Sequence, residues 1–231
     1  MKILGIDTST RFLSIGLWDK NKIYSFNLEL GPKLANLITP TIEMILDALS
    51  WKIGDIDYFA CGLGPGSFTG LRVGLATIKG LAWSIDRPIV GISSLDILAR
   101  NVGASSSTIV PVVDAKRSLI YCSAYKINGS YLKRIMPYQL LTKDELIRKL
   151  KGNVLLLGDA LDLYKQDLLD QGKKITVLDR DLWYPQPHNI ILAALQEMKV
   201  KKITNSFDIA PIYLYPKECQ IKNSYRPPVN S

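Results

Sequence analysis

The sequence predicts a mixed α/β protein built from two similar halves, and three observations carry that prediction. Residues 1–104 alternate short apolar strand segments with longer segments whose apolar residues recur at helical spacing. Shifting the chain by 107 residues lays Ile6-Asp7 on Val113-Asp114, Leu13 on Ile120, Leu17 on Ala124, Trp18 on Tyr125 and Asn21 on Asn128. Strand, carboxylate, polar turn and strand thus recur in order, as a duplicated unit would show. Finally, 231 residues suffice for two units with cores of their own.

The elements follow in order. Segments 3–7, 13–18 and 23–30 read as strands of an antiparallel meander, the last two joined by the turn Asp19-Lys-Asn-Lys22. Segment 34–49 reads as a helix, with Ile38, Ile42, Ile45 and Leu49 on one stripe and Pro40 expected in its first turn. Its other side is short of charge, since Leu34, Leu37 and Met44 form a second apolar line beside Glu43 and Asp47. Strand 58–62, helix 70–85, strand 89–92 and helix 94–101 complete the first half. Between Leu71 and Ile85 only Arg72 and Lys79 are charged, so this helix also lacks a polar face and calls for cover on two sides. In the second half, helices are expected at 142–150, 161–171 and 188–198, and strands at 154–157 and 175–178. Residues 218–231 turn polar and proline-rich, as a flexible tail does. The expected division is 1–104, 105–217 and that tail.

Composition narrows the function classes. Hydrophobic residues make up 47% of the chain, which excludes a disordered protein. Apolar runs such as 154–157 are far too short to span a bilayer, and Asp7 interrupts the amino terminus before a signal-like core develops. A soluble, unprocessed, cytoplasmic protein with no membrane partner is expected. Cys61, Cys122 and Cys219 are odd in number and lack paired spacing, which favours reduced thiols over a disulfide frame or a zinc site. The net charge of +8 is uneven: residues 1–104 hold 10 Lys and Arg against 9 Asp and Glu, and residues 105–231 hold 19 against 12. A basic second half favours acidic partners or nucleic acid. Its lysines are scattered without an aromatic platform beside them, so direct RNA contact stands against a solubilising surface.

Several residues invite chemistry. The run Gly62-Leu-Gly-Pro-Gly-Ser-Phe-Thr-Gly-Leu-Arg-Val-Gly74 joins a buried strand to a helix that Ser67 or Thr69 can cap. Amides at a helix start make an anion site. The P-loop spacing fails, however, because Gly70 is followed by Leu71 and Arg72, and the dinucleotide fingerprint would need glycine at Thr69. A tight turn with close helix packing is the favoured reading. Asp7, Thr8 and Ser9 occupy a strand-to-strand turn, where they either touch a phosphate or a hydrated metal, or form an Asx-type turn. Asp114, Lys116 and Arg117 form the mirrored turn, and Gly158-Asp159-Ala160 reads as a strand-to-helix turn. A single histidine, His188, leaves no histidine-based metal site, and no Gly-x-Ser-x-Gly elbow surrounds Ser67.

Four motifs together carry a family resemblance: Ile6-Asp-Thr-Ser9, Gly64-Pro-Gly-Ser-Phe-Thr-Gly-Leu-Arg-Val-Gly74, Lys79-Gly-Leu-Ala82 and Gly91-Ile-Ser-Ser-Leu-Asp96. In order and spacing they resemble the bacterial TsaB (YeaZ) family, firmly over residues 1–103 and more loosely at Val113-Asp-Ala-Lys-Arg117 and Pro211-Ile-Tyr-Leu214. The resemblance implies a duplicated actin-like (ASKHA, RNase H-like) fold of two mixed-sheet domains. It implies a non-catalytic partner of TsaD, the subunit that transfers threonylcarbamoyl to the adenosine beside the anticodon of tRNA, with the ATPase TsaE joining them. ATP and metal are then expected on TsaD and TsaE, and no cofactor or metal on this chain. tRNA is expected to be met mainly through the complex.

The family's dimer surface implies an interface on the first two helices, with Leu34, Leu37, Thr41 and Met44 on one and Leu71, Leu75, Ile78 and Ala82 on the other. The same helices allow a homodimer. The opposite face of the second helix, Val73, Ala76, Gly80 and Trp83, is the alternative. Asp7, Thr8 and Ser9 become a vestigial phosphate loop. Two departures stand out: Lys33-Leu-Ala-Asn36 replaces a His-Ser pair seen in many relatives, and the Gly158 loop lacks a second glycine. The rival functions are a small-molecule kinase of the same fold and a peptidase.

Overall fold

The computed structural model describes residues 1–129, 131–170, 174–199 and 208–215. The expected tail at 218–231 and Cys219 lie outside the described residues. Strands β1 (Lys2–Asp7), β2 (Phe12–Asp19), β3 (Lys22–Glu29), β4 (Tyr58–Gly62) and β5 (Ile89–Ile92) form one sheet in the order β3-β2-β1-β4-β5. Strands β6 (Thr108–Lys116), β7 (Leu119–Asn128), β8 (Tyr131–Thr142), β9 (Val154–Leu157) and β10 (Ile175–Val177) form the second, in the order β8-β7-β6-β9-β10. Each sheet is an antiparallel meander continued by parallel strands. The two orders are the same, which is the duplicated actin-like arrangement, with β1 matched by β6 and β2 by β7.

Central strand β1 is apolar from Ile3 to Ile6 because both of its faces are covered. Leu4 and Ile6 join a core with α1 (Leu34–Ala48) and α2 (Phe68–Ser84). Ile3, on the opposite face, packs with Ile190, Ile191 and Ala194 of α6 (Pro187–Lys199). The α6 backbone comes so close that a Cβ on Gly16 would overlap the Pro187 carbonyl oxygen. The second sheet builds its own core with Leu146 of α4 (Lys143–Lys149), Leu161 and Leu168 of α5 (Leu161–Leu169), and Leu95 and Leu98 of α3 (Ser94–Ala99).

Three expectations change. Pro40 lies in the interior of α1, not its first turn, because the helix begins at Leu34. It is tolerated on the solvent side, where the Asn36 carbonyl that loses its partner is also exposed. The second half does not contain all of its expected residues, since α6 returns to the first sheet. Residues 208–215 then cross between the halves: Ile209 joins the first core, the Ile212 amide donates to Leu63 O at 2.8 Å, and Leu214 and Tyr215 pack on the second core. Finally, β8 has no counterpart among the expected strands. It is a sheet edge that carries Pro137, and its pairing with β7 shifts register around Ala124, so its apolar residues do not alternate cleanly.

Candidate functional site

The glycine run is shaped around the β1–β2 turn. A Cβ at Gly62 would overlap the Asp7 carboxylate, one at Gly66 the Ser9 carbonyl, one at Gly70 the Thr8 carbonyl and one at Gly74 the Thr8 hydroxyl. Thr8 Oγ1 donates to Gly70 O at 2.8 Å and the Ser67 amide to Ser9 O at 2.7 Å, so the start of α2 is bonded to the turn it covers. Ser67 also caps α2, its Oγ accepting from the Gly70 amide at 3.2 Å. The tight-turn reading of the glycines is the geometry found.

Asp7 fastens three segments at once. Its Oδ1 accepts from the Ser9 amide at 2.9 Å and the Ser9 hydroxyl at 2.6 Å, and its Oδ2 accepts from Ser94 Oγ at 2.5 Å. Ser94 Oγ in turn accepts from the Gly64 amide at 3.0 Å. Asp7, Thr8 and Ser9 are 1%, 1% and 4% exposed. The three residues at which a vestigial phosphate loop is expected thus form a buried junction packed against the glycine turn, with Ser9 also lining the cleft between the halves.

Burial raises the Asp7 pKa, opposed by the hydrogen bonds from Ser9 and Ser94. A carboxyl whose folded pKa exceeds its unfolded value favours folding fully below the unfolded pKa, and that contribution is lost as pH rises through the folded value. Asp7→Asn should therefore flatten part of the fall in stability between pH 4 and pH 7. Urea midpoints at pH 4, 5.5 and 7 check this, and parallel profiles for the two proteins would contradict it.

Of the eight residues expected at a partner surface, five are already used by the monomer. Leu34, Leu71, Leu75, Ile78 and Ala82 are 8%, 2%, 6%, 0% and 0% exposed; Leu34, Leu75, Ile78 and Ala82 join the core on the first sheet, and Leu71 lies against the turn at Gly64. The sheet takes the stripe with the larger branched side chains, which bury more apolar area per residue. Thr41 is half-buried, whereas Leu37 and Met44 are exposed on the outer side of α1. On α2 the alternative face is outermost: Val73 is half-buried, Ala76 and Gly80 are exposed, and Trp83 is 69% exposed. α1 and α2 pack side by side. Their outer sides place Leu37, Met44, Ala76, Gly80 and Trp83 in water.

A cleft of about 1170 Å3 separates the halves. Of the four cations among the described residues that line it, Arg11, Arg72 and Lys116 are each held by a neighbour, and Arg117 is the fourth. Arg72 lies 3.8 Å over the Phe68 ring with Nε donating to the Tyr213 hydroxyl at 3.3 Å, Arg11 pairs with Glu29 at 3.0 Å, and Lys116 pairs with Asp114 at 2.5 Å. The mirrored turn runs through positive φ at Lys116, Arg117 and Ser118, and the Tyr215 hydroxyl donates to Ala115 O at 2.8 Å beside it. Asp159 accepts from the Asp114 amide at 2.9 Å, and burial raises its pKa. Gly158 is needed there, with φ at +122 and a hypothetical Cβ overlapping Val112 O.

Cys61 and Cys122 are buried free thiols, the latter pushed up to about 12 by burial. His188 is exposed at the start of α6. Among the described residues, no three or more His, Cys, Asp or Glu are grouped so as to hold a metal ion, and no helix is long and apolar enough to cross a membrane.

A family model described as TsaD, tRNA N6-adenosine threonylcarbamoyltransferase, matches residues 32–209. The chain is 30% identical over 227 residues to the tRNA threonylcarbamoyladenosine biosynthesis protein TsaB of Bacillus subtilis, covering 96% of this chain and 97% of that protein. It is 26% identical to the Escherichia coli protein of the same name, covering 93% and 94%. A Pseudomonas aeruginosa crystal structure, described as an uncharacterized protein with similarity to peptidase YeaZ, superposes with a TM-score of 0.83 at 21% identity, over 93% of this chain and 99% of that one. That last likeness establishes the shared fold.

Proposed function

The chain belongs to the TsaB family, and on that premise we propose that it is a non-catalytic scaffold in the biosynthesis of threonylcarbamoyladenosine in tRNA, pairing with a TsaD-type subunit in the cytoplasm. The observation that carries the proposal is the outer side of α1 and α2, where Leu37, Met44 and Trp83 stand exposed on helices with little charge. Pairing would remove that apolar area from water at about 25 cal/mol per Å2. Two helices from each partner would form a four-helix contact. The same face would let two copies of this chain pair when the TsaD-type subunit is absent, and a TsaE-type ATPase would join the assembled pair. ATP, metal and most tRNA contacts would belong to those partners.

The role is positional: the hydroxyl and carboxyl groups of the β1–β2 turn are engaged in holding α2 and α3. In cells lacking the chain, mass spectrometry of hydrolysed tRNA should show loss of threonylcarbamoyladenosine, restored by the intact protein. Unchanged nucleoside levels would overturn the proposal. Ser67→Ala should restore modification as the wild type does while losing about 1 kcal/mol of stability, the usual cost of a helix cap. A folded Ser67→Ala protein that fails to restore it would return Ser67 to consideration as a nucleophile.

A further inference from the structure

We infer that the outer face of the β7–β8 hairpin end is an RNA-binding surface for the tRNA backbone, formed by Lys126, Lys133 and Tyr131. From Ala115 to Lys143 the chain carries six Lys or Arg and no Asp or Glu. Folding concentrates part of this run. Lys126 lies opposite Lys133 and Asn128 opposite Tyr131, so these four share one face, and Ile135 stands at the register shift next to it. All five are exposed, with Tyr131 at 61% and Ile135 at 48%. Among the described residues, neither lysine has a carboxylate within ion-pair distance. On the reverse face, Arg134 lies 4.0 Å over the Tyr138 ring, while Asp96 of α3 accepts from the Tyr125 and Tyr138 hydroxyls at 2.6 and 2.8 Å. The hairpin is thus anchored from behind while its outer face stays open.

Like charges directly opposite each other destabilise a strand pair. Lysines on an edge strand also discourage pairing with other chains, and that would account for Lys133 alone. It does not account for a second lysine facing it, where a carboxylate would protect the edge equally and stabilise the hairpin, nor for an exposed tyrosine beside both. Two cations next to an open aromatic ring fit a polyanion with stackable bases. The aromatic platform absent from the linear sequence is supplied by β8.

The inference rests on the reading of the chain as part of a tRNA-modifying assembly, and its test separates the two. Filter binding of an unmodified tRNA transcript, over a range of salt, is measured for the full chain alone and mixed with the TsaD-type subunit, while gel filtration of the same mixture reads pairing. Lys126→Glu/Lys133→Glu should weaken tRNA binding at least tenfold and reduce the slope of log affinity against log salt by about 1.5, with pairing intact. Tyr131→Ala should weaken it about fivefold with the slope unchanged. Lys133→Glu alone creates an opposite-charge pair with Lys126, so it should weaken tRNA binding while leaving the melting temperature unchanged or higher, which rules out unfolding as the cause. Wild-type affinity and slope in all three variants, absence of tRNA binding by the wild type in either form, or binding of polyglutamate as tight as that of tRNA would each overturn the inference. Failure of the wild type to pair, with hairpin-dependent tRNA binding retained, would count against the scaffold reading and not against the hairpin.

Discussion

Gly70→Val is expected to abolish stable folding, although the position lies at the start of a surface helix in a residue type usually regarded as expendable. A Cβ at residue 70 would overlap the Thr8 carbonyl oxygen, which is backbone and cannot rotate away. To accommodate the side chain, the first turn of α2 must lift off the β1–β2 turn. Lifting it breaks the Thr8 hydroxyl bond to Gly70 O, the Ser67 amide bond to Ser9 O and the Ser67 cap. Overpacking costs about 1–3 kcal/mol, and each lost hydrogen bond about 1 kcal/mol. The sum, about 4–6 kcal/mol, rivals the whole stability of a typical domain, about 5–15 kcal/mol.

Gly80 supplies the internal control, because it sits on the same helix and a Cβ added there would meet no atom within 4 Å. Gly80→Ala should be stabilising by about 0.5–1 kcal/mol through helix propensity alone. Urea denaturation followed by circular dichroism distinguishes the two. A Gly70→Val midpoint within experimental error of wild type would show that the glycine run is not locked to the turn.

Much of this arrangement is legible in the sequence. The repeated strand, carboxylate, turn and strand around Asp7 and Asp114 corresponds to two sheets of the same strand order. The failed P-loop spacing points away from a phosphate cradle, and the glycines prove to be room for Thr8 and Ser9. What sequence does not resolve is which side of an almost uncharged helix faces inward. Leu71, Leu75, Ile78 and Ala82 compete with Val73, Ala76, Gly80 and Trp83 at nearly equal apolarity, and only the position of the sheet decides between them. β8 escapes a sequence reading for a related reason: its identity depends on pairing with β7, a contact that no local period records. α6 reads correctly as a helix, yet its place on the first sheet depends on the absence of side chains at Gly5 and Gly16, many residues earlier.

Trp83→Glu combined with Met44→Glu is expected to abolish pairing with the TsaD-type subunit while leaving the isolated chain folded. Both side chains already stand in water, at 69% and 59% exposure, so a carboxylate at either position needs no desolvation in the monomer. In the proposed complex the same carboxylates would be enclosed between helices without a partner, a cost of several kcal/mol. An exposed tryptophan is also the residue type that most often dominates binding energy when it is covered. A loss of about 2 kcal/mol or more corresponds to about thirty-fold weaker pairing. Leu75→Glu behaves differently, since Leu75 is 6% exposed within the first core. That substitution should unfold the chain, and any loss of pairing would then say nothing about the interface. Gel filtration with the TsaD-type subunit, alongside circular dichroism of each variant, reads both outcomes. Undiminished co-elution of the Trp83→Glu/Met44→Glu protein would remove the outer side of α1 and α2 as the partner surface.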